Sequence, residues 1–209
     1  MSEERLFSEE ELKALSERTI DRLLAAVESD DRESAKKLAR RMYAEFLAMH
    51  DLYRDWVTHL LTFVGERFGD DSLYDALEET VRGYTQRLSD RYAGKSDRRS
   101  IELLLAGFRG HLQPFDIEED EEKFIITPHP CGSGERLIRD GGYDPPSNFL
   151  RIKEPQPMTF NRPDFPVYCA HCALQNIIPA EPGGSPLFVT EPSDDPGKEP
   201  CRIYVYKKE

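Results

Sequence analysis

The stretch GHLQPFDIEEDEEKFIITPHPCGSG, residues 110–134, decides the fold. Its middle is two short apolar runs, one from Phe115 and one from Phe124, held apart by an acidic turn, which predicts a β-hairpin. Everything before it is free of proline and cysteine: all fifteen prolines stand at or after Pro114, and all four cysteines at or after Cys131. Nothing upstream therefore forbids long helices. The change of composition near residue 112 predicts an α+β protein in one compact unit. Residues 1–112 are expected to form a helical bundle, packed against a Cys/His-rich α+β region at 113–209.

Working back from the hairpin, the first half reads as four helices. Ser8 followed by Glu11 is a capping box, and Leu12, Leu15, Leu23, Leu24 and Val27 trace an apolar stripe. A second helix begins near Asp31 and carries Leu38, Met42, Tyr43, Phe46, Leu60, Leu61 and Val64 as far as Phe68, with a break expected near MHDLYRD. Ser72 with Asp75 makes another capping box before Leu73, Leu77, Val81, Leu88 and Tyr92. A shorter helix around Ile101, Leu104, Leu105 and Phe108 stops at Gly110. Together these four make a bundle. Working forward, PLFVTE and CRIYVYK are short β-rich runs, and GERLIRDGGY holds one or two turns of helix. Long Pro- and Gly-rich connections join them into a small antiparallel sheet.

The net charge of −12, from 40 acids against 28 bases, argues against nucleic acid or an anionic membrane as partner, since both need clustered positive charge. The N-terminus lacks a basic start and apolar core, and no window approaches a membrane span, so a cytoplasmic protein is expected. In that reducing compartment cysteines are metal-bound, catalytic or buried rather than paired in disulfides.

Two motifs carry chemistry. In VYCAHC (residues 167–172), Cys169 and Cys172 have the Cys-x-x-Cys spacing that lets two sulfurs meet one Zn²⁺ from a tight turn, with His171 between them. His129 and Cys131 supply a second half, and Cys201 a further thiol. A redox Cys-x-x-Cys needs a parallel αβ context, which is absent. In PHPCGSGERL, the Gly132–Gly134 turn offers amides to an anion and would lower the pKa of Cys131. Cys131 is thus a nucleophile with His129 as its base, or a zinc ligand; a plain Gly-rich connection is the bland alternative. His111 sits at the junction of the halves, where a cleft is expected. His50, Arg54, Asp55 and His59 lie at helical spacing and either line a pocket with Tyr53 or form an exposed polar face.

The order of the second half, from hairpin through Cys131 and FPVYCAHC to PLFVTEPSDDPGKEPCRIYVY, resembles the 4-vinyl reductase domain and the related L-2-amino-thiazoline-4-carboxylic acid hydrolase family over roughly residues 115–207. The resemblance implies a zinc ion held by Cys169 or Cys172, by Glu191 and by Cys201. Asp194 stands where the sensor members carry the remaining cysteine ligand, with His171, His129 or Cys131 as replacements. Hydrolase members carry a cysteine after the hairpin, where Cys131 stands. The expected function is a zinc-binding enzyme hydrolysing a C–N or C–S bond of a small molecule through zinc-activated water or the Cys131 thiolate. The alternative is a small-molecule sensor module with a structural zinc.

Overall fold

The computed structural model describes residues 6–179 and 184–207. The chain is α+β and divides into two compact units, Met1–Leu52 and Tyr53–Glu209. The division falls well before residue 112, because the helices that follow Tyr53 share their cores with the strands and loops of the second half. Among the described residues no helix is long and apolar enough to cross a membrane.

The first unit holds α1 (Glu9–Ser16), α2 (Thr19–Glu28) and the start of α3 (Arg32–Tyr92). The predicted capping box is made: the Glu11 N–H donates to Ser8 Oγ at 3.1 Å, and the Ser8 N–H to Glu11 Oε2 at 2.8 Å. The apolar stripe finds little cover here. Leu12, Leu15, Leu24 and Val27 are exposed, and Ala26 alone is buried on α2.

Helix α3 keeps helical dihedrals through MHDLYRD, where no residue lacks an N–H or needs positive φ. Its one non-helical position is Gly69 (φ 84°, ψ 177°), a left-handed value that glycine alone adopts cheaply. Beyond it, Leu73, Leu77 and Val81 pack on Ile152, Met158, Val167, Ala170 and Leu174. These partners lie on or beside β3 (Arg151–Ile152), a 3₁₀ turn at Pro157–Thr159, β4 (Phe165–Pro166) and α6 (Ala170–Ile177). A second core joins Tyr92 and α4 (Asp97–Gly110), through Ile101 and Leu104, to Ile126 and Ile203.

Those two isoleucines face each other across β2 (Lys123–Pro128) and β6 (Arg202–Tyr206), in an antiparallel sheet of order β1-β2-β6-β5. The hairpin partner is β1 (Phe115–Glu119), and β5 (Val189–Glu191) forms the far edge. The turn is pinned by Asp120 Oδ1, which accepts from the Glu122 and Lys123 amides at 2.8 Å each. Strand alternation then sends Ile126 into the core, while Ile125 and Thr127 look out over an open hollow.

Candidate functional site: a cavity lined by four thiols

Three segments wall the site, and each is shaped by its local sequence. The first follows β2. Pro128 ends the strand, and α5 (Gly134–Arg139) begins after the CGSG turn. Two glycines are required there by close approach. A Cβ at Gly132 would stand 2.2 Å from the His111 carbonyl oxygen, and one at Gly134 would stand 2.7 Å from Cys169 Sγ. Two of the amides at this turn, those of Cys131 and Gly132, are engaged by side chains and so are not open to an anion. The Cys131 N–H donates to Glu135 Oε2 at 2.9 Å, and the Gly132 N–H to the Gln113 side-chain oxygen.

The second segment is VYCAHC itself. A 3₁₀ turn, Val167–Cys169, leads into α6, so Cys169 sits at the helix start and Cys172 three residues on. The spacing places both on one helical face. His171 Nδ1 lies against the Tyr168 carbonyl, so it must carry the proton and donate. Its Nε2 is then an acceptor, 3.4 Å from Cys172 Sγ. The third segment is the loop into β6, which delivers Cys201. Arg162 anchors that loop by donating to the Pro192 and Ser193 carbonyls and, at 2.9 Å, to the Asp194 carboxylate.

Cys131, Cys169, Cys172 and Cys201, the chain's whole cysteine complement, line one cavity of about 190 Å³ together with His111 and His171. Aromatic walls come from Phe108, Phe160 and Phe188. Burial is the main influence on the site's ionisation. It pushes the Cys169 and Cys172 thiols well up, and the charge each would carry beside the other thiols pushes further. Cys201 moves the same way, mainly by burial, against a backbone hydrogen bond from Ser193. Burial lowers His171, partly offset by the Tyr168 carbonyl. Burial likewise raises the Tyr168 hydroxyl to about 12. At neutral pH the Cys172–His171 contact is therefore a thiol donating to a neutral imidazole, not a thiolate–imidazolium pair. Among the described residues, no group of three or more His, Cys, Asp or Glu side chains has the separations that hold a single metal ion.

Other residues singled out in the sequence lie elsewhere. His129 is half-exposed, its Nε2 2.9 Å from Asp116 Oδ2. It lines the open hollow on the sheet's outer face, as does Glu191, whose carboxylate accepts from Tyr204 Oη. Neither joins the thiols. Arg54 is buried and paired with Asp55 at 2.9 Å and Asp140 at 3.2 Å, while His59 meets the edge of Phe149. Tyr53, Asp55 and His59 are not part of the cavity wall. His50 contacts Asp51 within the first unit.

Two wall residues were missed by sequence reasoning. Glu135 is a buried carboxylate held by the Cys131 amide and Arg139. Ser133 Oγ lies 3.2 Å from His111 Nδ1. Glu135 had a readable signal, since it stands four residues after Cys131 where one helical turn brings it back. Compared with known proteins, the chain matches no protein family, no curated protein and no solved structure.

Proposed function

We propose that the cavity is a cysteine-ligated metal centre that takes Zn²⁺ and serves a small molecule. One observation carries the reading: every cysteine of the chain, drawn from three separate segments, reaches the same buried cavity. Burial and the neighbouring thiols oppose ionisation of Cys169, Cys172 and Cys201 in the absence of a counter-charge. A divalent cation supplies that charge, and its binding releases the thiol protons. The donors are close but not at single-ion spacing, so loading includes an inward movement of the side chains.

If three thiolates bind and water completes the set, the centre suits hydrolysis of a C–N or C–S bond, as in catalytic zinc sites. Glu135 and the Nε2 of His171 then stand in the same cavity as proton acceptors, and Phe108 and Phe188 offer apolar contact to a substrate. The closed alternative is favoured by the cysteine count, since four sulfur ligands make a structural zinc. The protein is then a binder of small apolar compounds.

Metal analysis of purified, reduced protein decides the centre. About one equivalent of zinc per chain is expected, with loss of most of it in Cys169→Ser and in Cys172→Ser. Protein that neither carries zinc nor takes it up under reducing conditions overturns the proposal. Turnover of thioester or amidine substrates by the zinc-loaded protein is expected of the open site, and bound zinc without turnover of the closed one.

A further inference from the structure

The second unit leaves one helix face uncovered. Tyr53, Trp56, Val57, Leu60, Phe63 and Phe68 on α3 are each between 44% and 59% exposed. The adjoining face of the same helix is committed inward, with Arg54 and Thr58 buried and Leu61 packed on the core, and Val64 packs on that core from the edge of the exposed stripe. The exposed face is also ordered within itself. The Tyr53 and Trp56 rings are 6.1 Å apart, and Phe63 and Phe68 meet edge-on at 5.8 Å.

We propose that this face pairs with its counterpart in a second copy of the chain, forming a helix-to-helix dimer. Its spacing names the kind of partner. Tyr53, Trp56, Leu60 and Phe63 recur at intervals of three, four and three, and in sequence the same alternation reaches back through Met49 and Phe46 to Met42. A 3.5-residue average is the period at which one helix keeps a seam facing another. A strand or a flat lipid surface makes no such demand, and a membrane-seeking helix would carry lysines and arginines beside its apolar face. Here the flanking positions are Val57, His59, Val64 and Glu66.

Composition points to self-pairing. Flanking charges are what specify an unlike partner in paired helices. This seam has almost none, and a uniformly apolar stripe is its own complement about a two-fold axis. The area is adequate: six large side chains at half exposure offer roughly 600–700 Å² per copy, near the ~800 Å² per partner of a standard interface. Tyr, Trp and Phe are also the residues that dominate binding at such seams.

The test is the solution mass of the full chain by light scattering, across about 5–100 μM. The wild type is expected at twice its 24.1 kDa. The single variants Trp56→Glu and Leu60→Glu are expected at the monomer mass with unchanged helical circular dichroism, because both side chains point away from the core. A monomeric wild type over that range overturns the proposal. So does a dimer that survives the double variant. Retention of zinc by the monomeric variants keeps this result separate from the fate of the metal centre.

Discussion

At the residue scale the site depends on absent side chains as much as present ones. Gly134 leaves room for Cys169 Sγ, which a Cβ would meet at 2.7 Å. Gly134→Ala is expected to cost about 1–3 kcal/mol, the usual penalty for overpacking, read as a lower denaturation midpoint. It should also displace Cys169 and weaken metal uptake. Full stability and full uptake in that variant would show that the turn does not set the thiol's position. The placing of the four cysteines in one neighbourhood was legible in the sequence, and they line one cavity, although no three of the described donors stand at single-ion spacing. The place of His129 was not legible. The same-face argument for residues two apart holds in a strand, but β2 ends at Pro128 and the chain turns before Cys131. Glu191 fails for the opposite reason, since alternation does hold in β5. Thr190 is buried, so its neighbour must face out.

At the element scale, α6 is the piece that brings two thiols to the wall, and the side chain of Asn176 hydrogen-bonds it to β5. Asn176 Nδ2 donates to the Thr190 carbonyl at 2.8 Å, and Asn176 Oδ1 accepts from the Thr190 N–H at 2.7 Å. Asn176→Ala strands both buried backbone groups. A loss of roughly 2–6 kcal/mol is expected, at about 1–3 kcal/mol for each of the two unsatisfied groups, measured by urea unfolding. A change below half of one such group would mean that α6 is held by its apolar face alone. The hairpin and the short strands were readable from alternation and turn chemistry. The helix α6 was not, because its eight residues overlap the metal motif and carry no polar cap. The sequence pattern carries the second helix to Phe68, and the non-helical Gly69 follows directly; the further break expected near MHDLYRD is not made, because nothing in its backbone interrupts the helix. The capping-box pattern of Ser72 and Asp75 falls inside the helix that follows.

At the scale of the whole molecule, buried acidic hydrogens tie stability to pH. Cys169, Cys172 and Cys201 hold their protons above the ordinary thiol value of 9.0, and Tyr84 and Tyr143 hold theirs above 10.0, burial being the main cause in each. Below about pH 9 both folded and unfolded chains keep these protons, and the contribution to stability is fully present. Above it the unfolded chain ionises first. The folded state then binds more protons, so stability falls as pH rises. Metal-free protein should show a falling thermal midpoint from about pH 9 to 11, whereas a midpoint flat across that window would contradict the burial of the thiols. Zinc-loaded protein should instead lose stability toward acid, where protons compete for the thiolates.

The most direct test of the central claim is X-ray absorption at the zinc edge of the loaded, reduced protein. A first shell dominated by three or four sulfurs near ~2.3 Å is predicted for the thiol cavity. A shell of nitrogen and oxygen only, near ~2.0–2.1 Å, would place any bound zinc away from the cysteines and contradict the account.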